Sequence, residues 1–352
     1  IFVFRKFYNN NVISLLSPND KILVQIFKEK NEILYKIYFE NKEIISKSRL
    51  GLFFNKQNPF PGADQIKVIN ERYYDNTWEL PLGEVRKVKN TFNETSIVFE
   101  DSENHETGKI KFRVYDDGVA FRYLLSHYGN INDSVIITDE VTQFNLIEDA
   151  NSWWIPAYTE NRYEHLFNKT KVSQIDTAHT PLTIKYSDGI YMSIHEASLD
   201  DYSSMQLFSQ NQTLECDLAP WSNGDKVRTV LPFKTPWRTI IIAKEGKGLL
   251  NSKLTLNCNP PSIIDDISWI KPSKYIGIWW GMITGKWTWK ESFRHGATNE
   301  RALKYIDFAS KHGFDEVLIE GWASGWESLF PEDSVIVSFT KSTSDFDFKA
   351  MQ

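Results

Sequence analysis

An alternation of apolar and polar residues with a period of two dominates the sequence from Lys21 to about Asp266. It is clearest between Ile33 and Phe39, where every second residue is a large apolar one. Such alternation is typical of β-strands that are buried on one face. The runs are short, and turn residues separate them roughly every 8–12 residues, as in antiparallel sandwiches. The sequence therefore predicts that this region is all-β.

One hairpin and several further strands can be placed within this region. Ile110, Phe112 and Val114 alternate with basic residues, and Asp116-Asp117-Gly118 then leads into a second apolar run. An Asp-Gly pair between two alternating runs is a strong hairpin signal. Further strands are predicted at residues 96–99, 134–138, 182–186, 190–195, 239–243 and 253–256.

The pattern changes after Pro260 and Pro261, where turn residues cluster. Two consecutive prolines cannot both lie inside a β-ladder, so we expect a linker here. We assign residues 1–268 to an N-terminal antiparallel β-sandwich and residues 269–352 to a second domain.

The second domain begins with a strand-helix-strand pattern. A strand is predicted at 275–280, and the helix that follows has Thr298 as its N-cap and Gly313 as its C-terminal glycine. The apolar run at 317–319 is typical of a parallel strand that is covered on both faces. This order indicates the start of an α/β domain. A (β/α)8 barrel takes about 250 residues, so we expect the sequence to contain only the beginning of one.

The carboxyl end of the second predicted strand carries a candidate functional residue. Glu320 follows this strand directly, and ligands of parallel α/β domains bind at the carboxyl ends of strands. The alternative is that Glu320 only solvates the following loop. Six tryptophans surround this edge, and we expect Trp279 or Trp280 to be core and the others to stack on a sugar: Trp279, Trp280, Trp287, Trp289, Trp322 and Trp326.

Composition excludes some classes of function and leaves others open. The formal net charge of −6 argues against a nucleic-acid binder, which needs a basic surface. No apolar run approaches the roughly 20 residues of a membrane span. Cys216 and Cys258 could form one disulfide at most, and we interpret both as small buried residues. The aromatic content of 14% fits either a flat ligand or a large sandwich core.

The sandwich region contains one further polar motif. His195 and Glu196 end the apolar run at 190–194, and a single Glu or His in this position is usually structural. Asp200 and Asp201 could join Glu196 as oxygen ligands of a hard cation, although the spacing matches no EF-hand loop. The residues alone leave these alternatives open.

Taken together, several segments resemble glycoside hydrolase family 97, the α-glucosidases and α-galactosidases of polysaccharide-degrading bacteria. They include Ser193-Ile-His-Glu-Ala-Ser-Leu199, Ile276-Gly-Ile-Trp-Trp-Gly-Met282 and Leu318-Ile-Glu-Gly-Trp322. The matching segments are 75–84, 115–123, 153–157, 178–182, 193–199, 235–239, 276–282, 295–298 and 318–322. Their order and spacing carry the resemblance from about Leu15 to Phe346.

The resemblance implies a galactose-mutarotase-like β-sandwich, a catalytic (β/α)8 barrel and a calcium ion in the active site. It implies that Glu196 is a calcium ligand, and that Glu320, Trp322, Trp280 and Trp287 contact the oligosaccharide. The catalytic carboxylates of the family lie on later barrel strands, so we expect none in this sequence and no turnover by these 352 residues.

The resemblance also sets the reaction and the compartment that we expect. One carboxylic acid protonates the leaving oxygen, and a second carboxylate activates water or attacks the sugar. We favour an inverting α-glucosidase over an α-galactosidase. We also expect a bacterial periplasmic or secreted protein whose leader is not in this sequence.

Two departures from the family pattern and two alternative functions accompany this prediction. Ile283 and Ala323 stand where the family commonly has His and Asn, so ligand contacts there are altered. The first alternative is a carbohydrate-binding sandwich without turnover, and the second is a remnant that cannot fold past the linker.

Overall fold

The alternating segments form antiparallel strands whose apolar residues point inward. The structure is a computed structural model, and it describes residues 12–54, 59–60, 64–126, 134–160, 163–326 and 337–351. The chain divides into two compact units, Ile1–Pro261 and Ser262–Gln352. This division falls within the predicted linker and before the predicted domain boundary at residue 268.

The first unit is almost entirely β. Its strands are β1 (Val12–Leu16), β2 (Ile22–Glu29), β3 (Glu32–Phe39), β4 (Lys42–Leu50), β5 (Leu52–Phe54), β6 (Pro59–Phe60), β7 (Gln65–Glu79), β8 (Lys87–Glu100), β9 (Glu106–Tyr115), β10 (Gly118–Leu125), β11 (Ser134–Glu140), β12 (Gln143–Asn145), β13 (Asn151–Trp154), β14 (Asn168–Lys171), β15 (Thr177–His179), β16 (Leu182–Lys185), β17 (Tyr191–Ala197), β18 (Met205–Gln210), β19 (Thr213–Leu218), β20 (Val227–Val230), β21 (Phe233–Lys234) and β22 (Trp237–Ala243). Two short helices follow, α1 (Gly246–Asn251) and α2 (Leu254–Cys258).

These strands form four antiparallel sheets. The largest has the order β14-β13-β16-β17-β22-β10-β9-β8-β7, with β21 paired to β10. The other three have the orders β1-β2-β3-β4, β20-β11-β5-β6 and β12-β19-β18-β15. One continuous apolar core joins the inner faces of all four sheets, consistent with a β-sandwich.

The Asp-Gly hairpin is confirmed, but its glycine has a different role from the one that the turn signal suggests. Tyr115 pairs with Gly118 where β9 turns into β10. Gly118 does not have a positive φ; instead, a Cβ at this position would lie 2.2 Å from the backbone oxygen of Ile240. The close approach of β22 therefore requires glycine here.

Of the other predicted strands, those at 96–99, 134–138, 182–186, 190–195 and 239–243 are confirmed wholly or for most of their length. The strand predicted at 253–256 is wrong, because this segment belongs to α2. Leu254 and Cys258 are both buried on the outer face of the largest sheet, whereas Leu256 is exposed. The i, i+4 spacing of the two buried residues is helical. Cys216 and Cys258 are free and buried, as predicted.

The second unit contains one parallel strand pair. Its elements are β23 (Tyr275–Gly277), α3 (Trp279–Ile283), α4 (Asn299–His312) and β24 (Glu316–Leu318). The strands β23 and β24 pair in parallel, and α4 connects them. The N-cap and C-cap of α4 are confirmed: Thr298 Oγ1 accepts a hydrogen bond from Arg301 N, and Gly313 is left-handed with φ of 67°.

Two predictions for the second unit are wrong. The first strand ends at Gly277, so Trp279 and Trp280 lie on α3, where both rings are exposed and neither is core. Met282 is the residue of α3 that turns inward. The second strand is not covered on both faces, since Leu318 is 42% exposed. None of the helices in the described ranges is long and apolar enough to span a membrane.

Candidate functional site

Glu196 lies near the end of β17, directly opposite Arg238 on the neighbouring strand β22. Both side chains are buried. Glu196 Oε2 accepts a hydrogen bond of 2.6 Å from Arg238 Nη1, and Glu196 Oε1 accepts one of 3.0 Å from the backbone N–H of Met205. The cross-strand register therefore fixes the orientation of the carboxylate.

A second carboxylate shares the same arginine. Arg238 Nε and Nη2 donate to Glu140 at 2.8 and 2.6 Å, in the bidentate geometry that guanidinium and carboxylate groups favour. Glu140 is also buried, so two carboxylates and one guanidinium leave a net charge of −1 at this place. We call Glu140, Arg238 and Glu196 the buried triad.

The charges of the triad set the direction of two pKa shifts. Burial by itself would raise the pKa of Glu140, but the adjacent Arg238 guanidinium outweighs burial and lowers it. Burial would likewise lower the pKa of Arg238, and the neighbouring carboxylate Glu140 raises it instead. Both groups are therefore charged at neutral pH.

Hydroxyl groups support Glu140 from its other side. Thr142 Oγ1 donates to Glu140 Oε1 at 2.9 Å, and Tyr202 Oη donates to Glu140 Oε2 at 3.2 Å. Tyr123 Oη lies 2.8 Å from Thr142 Oγ1 and accepts from Gly51 N. Glu140 is thus surrounded by donors, whereas in the described part of the chain Glu196 accepts from two, Arg238 Nη1 and Met205 N.

A cavity of roughly 320 Å³ adjoins Glu196. It is lined by Tyr163, His179, Thr180, His195, Glu196, Ala197, Ser198, Leu199, Ser204, Met205, Gln206, Thr255 and Asn259. His195 Nδ1 lies 3.0 Å from Thr180 Oγ1, and burial lowers the pKa of His195. We call this space the Glu196 cavity.

The described residues do not complete a calcium site by themselves. Calcium takes six to eight oxygen ligands. The Glu196 cavity offers the Glu196 carboxylate and the side-chain oxygen of Gln206, which has no hydrogen-bond partner. Asp200 accepts from Ser198 Oγ at 2.8 Å, and no group of three or more His, Cys, Asp or Glu in the described ranges could hold a metal ion. Oxygen donors and a net negative charge suit a hard cation. The number of oxygen donors is below the six to eight that calcium takes.

The predicted substrate contacts of the second unit have different surroundings. Glu320 is half-buried and lies two residues after β24. Trp280 is 67% exposed, whereas the Trp287 ring packs against Arg301 at 4.3 Å and Tyr305 at 6.1 Å. Trp322 stacks on Phe348 at 4.8 Å.

Sequence reasoning gave no role to His295, which fixes the loop after Glu320. His295 is buried; its Nδ1 lies 2.8 Å from Asp345 Oδ2, and its Nε2 lies 3.2 Å from Gly321 O. Asp345 and Gly321 are both distant from His295 in the sequence, so no local pattern predicts these two contacts.

Two family models match the chain. One, described as Glycosyl-hydrolase 97 N-terminal, matches residues 15–261, and the other, Glycoside hydrolase 97, matches residues 279–352. The structure resembles a Glycoside Hydrolase Family 97 enzyme from Pseudoalteromonas sp. strain K8 in complex with panose. The TM-score is 0.89 at 38% identity over 96% of this chain and 52% of that one. A Glycoside Hydrolase Family 97 enzyme from the same strain, in complex with acarbose, has a TM-score of 0.87.

A curated relative is the Retaining alpha-galactosidase of Bacteroides thetaiotaomicron. It is 22% identical over 312 residues, which are 80% of this chain and 46% of the relative. The chain therefore spans about half the length of the relatives it matches.

Proposed function

This chain belongs to glycoside hydrolase family 97, and we propose that it is part of an enzyme that hydrolyses α-glycosidic bonds in oligosaccharides. The observation that carries the proposal is the fold match at 38% identity over 96% of the chain, to an enzyme in complex with panose. The glucose units of panose are α-linked. The relative named as an α-galactosidase is more distant, at 22% identity. We therefore favour α-glucosides over α-galactosides as substrates.

The parallel pair β23 and β24, connected by α4, supports the proposal that the second unit begins a (β/α)8 barrel. Within it we propose that Glu320 and Trp280 contact the sugar, since one is a half-buried carboxylate after a strand and the other an exposed ring. We also propose that Trp287 and Trp322 contact the sugar. Each would do so with the face of its ring that its packing partner does not cover.

We also propose that Glu196 is one ligand of a calcium ion in the complete enzyme. The net charge of −1 on the buried triad and the unpartnered oxygen of Gln206 favour a cation beside Glu196. When bound, calcium supplies electrostatic stabilisation of negative charge. Arg238 holds the Glu196 carboxylate in one orientation, whatever occupies the space beside it.

Two further points remain predictions. One is that hydrolysis inverts the configuration of the sugar, whereas the Bacteroides relative is named as a retaining enzyme. The other is a periplasmic or secreted location, which fits the substrate class proposed.

The test of this function uses the complete product of the gene that carries this chain. We expect turnover of p-nitrophenyl α-glucoside that exceeds turnover of the α-galactoside and is lost with EDTA. Absence of hydrolysis with both substrates would favour the alternative of a binding module without turnover.

Calcium binding is tested separately by isothermal titration with CaCl₂. Glu196→Gln should weaken calcium binding at least tenfold, while Glu84→Gln, a change at an exposed carboxylate, should leave it unchanged. Equal affinity of the two variants would show that Glu196 is not a ligand.

A further inference from the structure

Another cavity of the first unit takes no part in the proposed function. Its volume is roughly 380 Å³. It is lined by Asp201, Tyr202, Ser203, Ser204, Ala219, Pro220, Trp221, Lys226, Val227 and Arg228. Neither Glu196 nor Gln206 is among these residues, so this is not the space given to calcium. We call it the Trp221 cavity.

Trp221 gives this cavity an open aromatic surface. It begins a turn that two backbone hydrogen bonds close: Trp221 N donates to Asp225 O, and Gly224 N donates to Trp221 O, both at 2.8 Å. The Arg228 guanidinium lies 5.4 Å from the centre of the ring and covers one of its faces. Trp221 is nevertheless 58% exposed, so the other face is open to a ligand. The ring is therefore held in place before any ligand binds.

The charged groups around the cavity favour a neutral ligand. Lys226 Nζ donates to Asp217 Oδ1 at 3.1 Å, and Arg228 Nε donates to Asp225 Oδ2 at 2.9 Å, so both cations are already paired. Asp201 is exposed, and within the described ranges its carboxylate has no hydrogen-bond or ion-pair partner. This free carboxylate repels an anion, and the two cations disfavour a metal ion. The carboxylate can instead accept hydrogen bonds from the hydroxyl groups of a neutral ligand.

A sugar ring matches this combination of surfaces. One side of a pyranose carries C–H groups that pack on an aromatic face, and its rim carries hydroxyl groups that donate hydrogen bonds. In the Trp221 cavity, the indole and the Asp201 carboxylate meet these two needs. A volume of roughly 380 Å³ is at the lower end of small-molecule sites, which suits one sugar unit rather than a chain.

We propose that the Trp221 cavity binds one sugar unit of an oligosaccharide, with the Trp221 ring as its stacking face and the Asp201 carboxylate as the acceptor for its hydroxyl groups. This inference rests on the proposed function and deepens it, because it assigns oligosaccharide recognition to two loops of the β-sandwich. These loops are 198–204, which follows β17, and 219–226, which connects β19 to β20. In the absence of sugar, water bonds to the Asp201 carboxylate, and the hydroxyl groups replace that water on binding.

The test observes the indole N–H of Trp221 by heteronuclear NMR while maltotriose, an α-linked glucose oligosaccharide, is titrated into the full 352-residue chain. Trp221→Phe identifies the resonance by its disappearance. We expect this resonance to shift saturably with maltotriose. The indole resonance of Trp269 is the control and should not shift, since Trp269 is 70% exposed and lies outside the cavity. The inference is overturned if the Trp221 resonance does not respond, or if both resonances respond alike.

A matched pair of substitutions tests the role of the carboxylate. Asp201→Asn should weaken maltotriose binding, read from the Trp221 resonance, by about fivefold, because hydrogen bonds to a charged acceptor become bonds to a neutral one. It should fold normally, since Asp201 is exposed and Asn tolerates its left-handed φ of 47°. Asp20→Asn is the control, because Asp20 is also exposed and left-handed, with φ of 59°. It should change the affinity by less than about twofold. Equal affinities of the two variants would overturn the inference.

The inference and the proposed function fail in different ways. If the complete enzyme hydrolyses α-glucosides but the Trp221 resonance does not respond to maltotriose, the inference is wrong and the function stands. If the resonance titrates as expected but the complete protein has no glycosidase activity, the inference stands without the function.

Discussion

Arg238 and Glu196 face each other across two adjacent antiparallel strands, and their side chains meet at 2.6 Å inside the protein. Arg238 pairs with both Glu196 and Glu140. Burying charges is costly unless they are paired and hydrogen-bonded. The position of Glu196 therefore depends on a residue that is distant from it in the sequence.

Removal of this arginine should strongly destabilise the first unit. Arg238→Met leaves two buried carboxylates without a cation, which costs about 3–5 kcal/mol. Urea denaturation followed by tryptophan fluorescence measures this change. Arg86→Met is the control, because Arg86 is 81% exposed and pairs with Glu79 on the surface. It should cost less than about 0.5 kcal/mol. A loss below about 1 kcal/mol in Arg238→Met would contradict the proposed role.

A second buried carboxylate predicts a pH dependence of stability. Glu94 is 1% exposed and is paired with Arg113 at 2.8 Å, Arg72 at 2.9 Å and Lys111 at 3.3 Å. Burial by itself would raise its pKa, but the Arg113 hydrogen bond and the three positive charges lower it below 4.5. A carboxylate with a lowered folded-state pKa stabilises the protein above its unfolded pKa.

Glu94→Gln should therefore be less stable than the wild type at pH 7, by about 3 kcal/mol. The difference should shrink as the pH falls from 4.5 through the folded-state pKa. Urea denaturation at a series of pH values tests this, with Glu84→Gln as the exposed control. A difference that is the same at pH 3 and pH 7 would rule out the ionised Glu94 as its source.

The glycine of the β9–β10 turn should not tolerate a methyl group. Gly118→Ala places a Cβ 2.2 Å from Ile240 O and 2.7 Å from Leu254 Cδ1, so we expect a loss of about 1–3 kcal/mol. Gly246→Ala is the matched control, since its nearest neighbour would be Tyr191 at 3.6 Å. It should be neutral or stabilising by up to about 1 kcal/mol. Equal thermal unfolding midpoints in the two variants would contradict this.

Local patterns predicted much of the fold. The caps Thr298 and Gly313 act within one helical turn, so the sequence alone was enough to place both ends of α4. The hairpin at Gly118 was also predicted, although its glycine is required by contact with a distant strand. The helix α2 was missed because two leucines at alternate positions imitate a strand, and only burial reveals the pair Leu254 and Cys258.

The candidate site was less predictable, because its contacts are long-range. The residues alone left the role of Glu196 open, and the prediction that it is a calcium ligand came from the family resemblance; its partner Arg238 is 42 residues away in the sequence. Glu140 is 98 residues from Arg238 and carries no local signal. His179 and Gln206 attract attention only when the cavity shows that their polar atoms lack partners.

The loop after Glu320 should depend on His295. Both ring nitrogens are engaged, one with Asp345 and the other with Gly321 O, so His295→Ala removes two contacts from the interior of the second unit. Loss of a buried partner costs about 1–3 kcal/mol. We expect a weaker near-ultraviolet circular dichroism signal, because Trp322 follows this loop and stacks on Phe348. His312→Ala is the control, since His312 is an exposed residue at the end of α4 and should leave both signal and stability nearly unchanged. If His295→Ala retains the wild-type signal, then the His295 contacts do not hold the loop beside Glu320.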